Sequence, residues 1–276
     1  MLACRHQTGS DDDIADPHWV PVTDGDVHVC ATGTGPLVIF LHGWTLDWRI
    51  WLPQTDLRGI RLAMVDRRGF GKSTAPPNLS REYEDVLKIA DYFEADDFAL
   101  VGLSQGAAVA LDCARKFGAR IRAIGLLGAP LHHLVPEPHG LPEIDRAALA
   151  GLVRDGRLGE MMKLWRQHEL TQVGVHAREL LDMILADYDG RDQMVDQVPL
   201  AFAAQDITTL TMPVLAIAGA QDSQWRRQVA DYIAIHAPYG QCNIVPGAGH
   251  IVNVDAADAV NGLLQNFLNA HLTEGN

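Results

Sequence analysis

The sequence predicts an α/β protein: a mostly parallel sheet flanked by helices on both faces, with a helical cap inserted late in the chain. Three observations lead there. Apolar runs of strand length alternate with segments of helical periodicity. Several of those runs are continuously apolar, as in strands buried on both faces. The alternation then lapses between residues 131 and 209, where helical periodicity persists without any apolar run that reads as a buried strand.

Residues 1–16 are polar and acidic, lack periodicity, and read as a disordered leader. Short β-like pieces follow at Trp19–Val22 and Val27–Ala31, separated by Asp24-Gly25, a hairpin signal. Pro36–Leu41 is a continuous apolar strand. Further strands are expected at Ile60–Val65, Phe98–Leu103, Ile121–Leu127, Val214–Ala218 and Asn243–Val245. Helices are expected over 81–95, 105–117, 223–236 and 256–272. In the break, the periodic pieces are Ala147–Leu152, Glu160–His168 and Ala177–Ala186, entered by a Pro-rich stretch and left at Met212-Pro213. The expected division is therefore a core of 17–130 and 210–276, with a cap of 131–209 lying over the C-terminal edge of the sheet.

Composition narrows the function classes. The chain has 276 residues, 47% of them hydrophobic and 21% charged, enough for one large α/β domain with an insertion. A net charge of −13 argues against binding nucleic acid or an anionic membrane surface. Cys4, Cys30, Cys113 and Cys242 lie far apart with no C-x-x-C pairing, which suits free thiols in a reducing compartment, and the cytoplasm is the expected location. Leu2-Ala3-Cys4 resembles a lipoprotein cleavage box but follows no basic and apolar leader.

Ser104 carries the chemistry. The apolar run ending at Leu103 drives into Gly102-x-Ser104-x-Gly106, and a helical segment follows. In that strand–turn–helix setting the pattern makes a nucleophile elbow, whose tight turn lifts the serine hydroxyl above the sheet. The backbone N–H of Gln105 is then free to bind an oxyanion. His42-Gly43-Trp44 ends an earlier strand, and the Trp44 N–H is the candidate second donor. His42 itself reads as a structural hydrogen-bonding residue. A serine hydroxyl needs a base. His250 stands at a strand-end turn and Asp222 at another, in the order Ser, Asp, His expected after such an elbow. Asp222 taken alone could merely cap the helix beginning near Ser223.

Other motifs are weaker. Gly71-Lys72-Ser73 suggests a phosphate loop, but Asp66 stands where its first glycine is required, so Asp66–Ser73 reads as a structural turn. His132, His133 and His139 lack a completing ligand set, and no metal or cofactor is expected. His132 is a candidate pocket residue. Trp165, near Met161 and Met162, is another, with packing inside the cap as its alternative. Trp48 and Trp51 read as packing residues.

Together, His42-Gly43-Trp44, Asp66–Ser73, Gly102–Gly106, Gly219–Asp222 and Gly247–His250 give the chain a resemblance to the α/β-hydrolase family from about residue 17 to 272. Within it the chain resembles small bacterial esterases, enol-lactonases and cofactor-free haloperoxidase-like esterases. The resemblance implies an α/β-hydrolase fold and a triad of Ser104, Asp222 and His250. Thr45 departs from the proline usual in the haloperoxidase-like members. Ser104 rather than aspartate argues against epoxide hydrolase or dehalogenase chemistry, and Ala107 departs from a frequent Gly-Gly. The expected activity is hydrolysis of a small carboxylic ester or lactone through an acyl-enzyme, with that small molecule as the expected partner and no nucleic acid or membrane. Two rivals remain open: C–C bond hydrolysis or cofactor-independent oxygenation at the same site, and a non-catalytic ligand-binding receptor.

Overall fold

A computed structural model describes residues 15–132, 134–137 and 144–272. Its centre is an eight-stranded sheet. The strands are β1 (Asp16–Val22), β2 (Gly25–Thr32), β3 (Leu37–Leu41), β4 (Arg61–Val65), β5 (Phe98–Leu103), β6 (Ile121–Leu127), β7 (Val214–Gly219) and β8 (Gly240–Val245). Their spatial order is β1-β2-β4-β3-β5-β6-β7-β8. β1 and β2 form an antiparallel hairpin, β2 pairs antiparallel with β4, and all remaining pairings are parallel. Every residue of β3 and β5 is buried, the pattern required of central strands covered on both faces.

The helices among the described residues are α1 (Glu82–Tyr92), α2 (Gln105–Phe117), α3 (Arg146–Arg154), α4 (Leu158–Gln167), α5 (Val175–Asp187), α6 (Ala204–Thr208), α7 (Gln224–His236), α8 (Val252–Asp255) and α9 (Ala257–Leu272). Local signals explain several of their ends. α1 carries Glu82, Glu84 and Asp85 in its first turn, where carboxylates meet the positive end of the helix dipole. The cap of α7 is Ser223, whose hydroxyl accepts from the Arg226 N–H, so Asp222 is not the cap. Helices α3 to α6 stand between β6 and β7. Met161, Trp165, Leu181 and Ile184 from this segment join the core cluster that holds Trp44, Trp48 and Trp51.

Two boundaries differ from the sequence reading. Asp16 pairs with Ala31 and Ala15 is buried, so the described end of the segment read as leader belongs to the sheet. Residues 1–14 lie outside the described residues. β8 begins three residues earlier than expected, because Gly240, Gln241 and Cys242 form a partly exposed edge strand with no apolar signature. Trp48–Asp56 forms a 3-10 helix that buries Trp48 and Trp51.

The strand order creates the site. From β3 the chain crosses to β4 on one side, then returns past β3 to β5 on the other. The loops leaving β3 and β5 therefore diverge at one edge, a switch point where α/β sheets bind ligands. Close packing holds the elbow there. A Cβ at Gly102 would lie 2.4 Å from the Gly106 carbonyl oxygen, and one at Gly106 would lie 2.1 Å from that of Leu41. Both contacts are with backbone, which cannot yield as a side chain can. Gly106→Ala is accordingly expected to destabilise the fold by about 3 kcal/mol or more, seen as a lowered urea midpoint with unchanged slope. An unchanged midpoint would mean that the elbow is not so tightly packed.

Candidate active site

Ser104 sits between β5 and α2 with φ 53° and ψ −117°. Positive φ is costly for a residue with a side chain, on the order of 1–3 kcal/mol, and persists only where the surroundings enforce it. Here the Ser104 N–H donates to Leu127 O at 2.7 Å, and the Ser104 carbonyl accepts from Ala107 N to start α2. The turn is thus pinned from both sides.

The loop after β3 lies against the same point. A Cβ on Gly43 would be 3.3 Å from Ser104 Cβ. Among the described residues, neither the Trp44 nor the Gln105 backbone N–H donates a hydrogen bond. Two unsatisfied donors beside one strained serine are a group poised for a developing negative charge, and Gln105 adds the positive end of the α2 dipole.

Polar contacts fix this loop from below. His42 is wholly buried; its Nε2 accepts from Arg67 N at 3.1 Å, so Nδ1 carries the proton and donates to Gly43 O at 2.7 Å. Arg67 forms a fork on Glu82 (2.6 and 2.9 Å) and also donates to His42 O and Gln105 Oε1. Asp66 accepts from the N–H groups of Trp48 and Lys72 and bonds His28, so the Asp66–Ser73 turn is structural.

His42 also predicts an acid response. Burial first, and then the Arg67 charge, lower its pKa from 6.5 to about 3. An unfolded chain binds a proton there below about pH 6.5, whereas the folded chain binds none until near pH 3. Stability attributable to His42 is therefore complete above pH 6.5 and falls steadily as pH drops toward 3, by roughly 1.4 kcal/mol per pH unit. Urea unfolding from pH 7 to pH 4 is expected to show this slope, and His42→Asn to flatten it. Parallel wild-type and variant curves would contradict the assignment.

The second half of the site comes from the strand ends of β7 and β8. His250 and Asp222 are buried, and His250 Nδ1 lies 2.9 Å from Asp222 Oδ2. The other carboxylate oxygen accepts from Ser223 N at 2.7 Å. Burial alone would push the Asp222 carboxyl up. The facing His250, the Arg226 guanidinium and the Ser223 N–H outweigh it and hold the group below the usual carboxylate range. Asp222 is thus an anion that orients the His250 ring. The ring lies over Gly128, where a Cβ would meet His250 Cε1 at 2.7 Å. Gly128 directly follows Leu127, the residue whose carbonyl holds Ser104. Among the described residues no hydrogen bond joins Ser104 Oγ to His250; such bonds commonly tighten only when substrate enters.

The two candidate pocket residues part company. Trp165 is buried against the loop after β3, its ring edge-on to Trp44 at 4.7 Å and its Nε1 donating to Thr45 Oγ1 at 2.7 Å. His132 instead stacks on Trp225 at 4.8 Å and bonds Glu137 at 2.6 Å. Burial and nearby Arg226 lower its pKa despite that carboxylate. His133 and His139 lie outside the described residues, and among the described residues no group of three or more His, Cys, Asp or Glu side chains is placed to hold a metal. No helix among them is long and apolar enough to cross a membrane.

The contacts of Thr45, noted in the sequence only as a departure from proline, were not legible there, and Asp192 was not singled out at all. Thr45, at φ 63°, donates to Trp44 O while accepting from Trp165. Asp192 is buried and accepts from Trp44 Nε1 (2.8 Å), Tyr188 OH (2.5 Å) and Gln193 Nε2. Together they tie the residues after β6 to the loop that follows β3. A cavity of about 270 Å³ opens beside that loop, lined by Thr45, Leu46, Phe70 and Tyr188 among others. A larger one, about 630 Å³, lies at the opposite edge of the sheet around Asp16, Thr32 and Tyr92, remote from the elbow.

Comparison with known proteins agrees with this architecture. The sequence model of the Alpha/beta hydrolase family matches residues 38–263. The chain belongs to the alpha/beta hydrolase family. It is 27% identical over 252 residues to a pimeloyl-[acyl-carrier protein] methyl ester esterase of Yersinia enterocolitica, covering 87% of this chain and 95% of that one. In structure this α/β-hydrolase is similar to a thermophilic esterase from Thermogutta terrifontis solved with malate bound (TM-score 0.75, 22% identity, 94% and 100% of the two chains). It is also similar to a bromoperoxidase from Bacillus anthracis (TM-score 0.75, 22% identity, 92% and 99%).

Proposed function

We propose that the protein is a serine-dependent carboxylic ester hydrolase that cleaves a small ester or lactone through an acyl-enzyme. The observation that carries this reading is the placement of the Asp222–His250 pair over Gly128, one residue from the carbonyl that pins the strained Ser104. His250 Nε2 takes the Ser104 proton as Oγ attacks the carbonyl carbon. The Trp44 and Gln105 N–H groups receive the charge that develops on the carbonyl oxygen. Protonated His250 then gives its proton to the departing alkoxide, and the acyl group stays on Ser104. Water, deprotonated by the same imidazole, attacks this ester, and the acid leaves as Ser104 regains its proton. No step needs a cofactor. The esterase named among the relatives favours an ester over the other bonds this fold can break.

The test is hydrolysis of p-nitrophenyl butyrate before and after treatment with a fluorophosphonate. Stoichiometric labelling of Ser104 with parallel loss of activity is the expected result. Full activity in fully labelled protein, or labelling elsewhere, would overturn the reading.

A further inference from the structure

The backbone around Trp44 has no ladder to hold it. Among the described residues, no backbone N–H from Gly43 to Leu46 donates a hydrogen bond, and the bonds this stretch receives come from side chains. From below, His42 grips Gly43 O. The remaining grip comes from residues that stand between β6 and β7. Trp165 of α4 donates to Thr45 Oγ1, and Asp192, in the 3-10 turn Arg191–Met194, accepts from Trp44 Nε1 at 2.8 Å. Both side chains are buried. Thr45 stands at φ 63°, an outlier for a β-branched residue, and such a conformation persists only where neighbours enforce it. Asp192 is itself fixed: Tyr188 OH donates to its Oδ1 at 2.5 Å, and Gln193 Nε2 donates to the oxygen that faces Trp44. The Trp44 indole is thus fastened to an immobile carboxylate. Gly43, one residue earlier, lies against Ser104. A shift of Trp44 by ~1 Å would carry its N–H away from a carbonyl reacting there.

We propose that Asp192 is a positioning residue for this chemistry: by holding the Trp44 indole it aims the Trp44 backbone N–H at the oxygen on which charge develops, so that residues between β6 and β7 complete the oxyanion site. The proposal rests on the ester-hydrolase reading above. An N–H aimed in this way acts on the tetrahedral intermediate more than on the bound ester, because the carbonyl oxygen gains its charge only as Oγ attacks. Loss of the Asp192 contact therefore appears in kcat and leaves KM nearly unchanged. A carboxylate that merely joined this segment to the core would act differently, changing stability or KM without a matching loss of transition-state binding. The role needs an acceptor facing Trp44 Nε1 rather than a charge. Asparagine supplies that acceptor, with its NH₂ turned to the Tyr188 hydroxyl oxygen.

The experiment measures kcat and KM for p-nitrophenyl butyrate, and the inhibition constant of an alkyl trifluoromethyl ketone, whose adduct with Ser104 bears the same oxyanion. The proteins are wild type, Asp192→Ala, Asp192→Asn, Trp44→Phe and the double variant Asp192→Ala with Trp44→Phe. Asp192→Ala is expected to lower kcat by about 10–100-fold, with ketone affinity falling by the same factor and KM within about threefold of wild type. Asp192→Asn should restore most of the lost kcat. Trp44→Phe keeps the backbone N–H but deletes the indole donor, so it should match Asp192→Ala, and the double variant should lose no more than either alone. The proposal is overturned by unchanged kcat in Asp192→Ala, a change confined to KM, an asparagine variant as impaired as the alanine one, or additive losses in the double variant. If Asp192→Ala shows no cooperative urea transition, Trp44→Phe decides by the same comparison of kcat with ketone affinity. Wild-type protein that neither cleaves the ester nor binds the ketone marks failure of the ester-hydrolase reading, and the proposal falls with it. Active wild type beside unaffected variants sinks the proposal alone.

Discussion

Ser104→Ala is expected to lower kcat for p-nitrophenyl butyrate by about 10⁵–10⁶-fold while leaving the fold intact. The magnitude follows from the role: without Oγ no acyl-enzyme forms, and what remains is direct attack by water helped by the oxyanion donors, worth roughly 10³–10⁴ over the uncatalysed reaction. The fold should survive because Ser104 is held through its backbone, by Leu127 O and Ala107 N, with no side-chain hydrogen bond among the described residues. Loss of the hydroxyl even leaves the strained turn unaltered. Steady-state kinetics and a urea titration on one preparation separate the two effects. Loss of activity accompanied by unfolding would say nothing for nucleophilic catalysis, whereas retained activity would exclude it.

Asp222→Asn is expected to cost about 10⁴-fold in kcat, the loss seen when the same change is made in a serine protease triad. The amide can keep its Oδ1 on the Ser223 N–H, so the turn persists. Its other end becomes an NH₂ donor facing His250 Nδ1, which must then accept rather than donate. The proton moves to Nε2, and the imidazole presents Ser104 with a donor where a base is needed. KM should change little, because Asp222 acts on His250 rather than on substrate. A loss below tenfold would mean that His250 does not need its carboxylate. The reaction would then run by another route, such as C–C hydrolysis or oxygenation with a different proton path.

Most of the framework was legible because it depends on local chemistry. The continuous apolar runs of β3 and β5 fit strands buried on both faces, and Gly102-x-Ser104-x-Gly106 between a strand and a helix pointed to a nucleophile elbow once Asp222 and His250 followed in order. Asp222 and His250 were legible because both end strands at the same edge of the sheet. What escaped depends on tertiary contact. Asp192 sits in Gly190-Arg191-Asp192-Gln193, which reads as a polar turn; only folding brings it 148 positions back to the Trp44 indole. β8 was clipped because a partly exposed edge strand carries no apolar periodicity, and the 3-10 helix at Trp48–Asp56, with Pro53 inside it, matches neither helical nor strand spacing well. The helices between β6 and β7 announced themselves as amphipathic, but periodicity specifies which face is buried and not what buries it.

The acyl-enzyme on Ser104 is the central claim, and trapping it is the most direct test. Protein mixed with p-nitrophenyl butyrate and quenched in acid within milliseconds should show, by intact-protein mass spectrometry, one added butyryl group. Peptide mapping should place that group on Ser104, and the Ser104→Ala protein should show none. Rapid turnover with no trapped adduct in wild type or in the His250→Ala variant, or a butyryl group on another residue, would contradict the account.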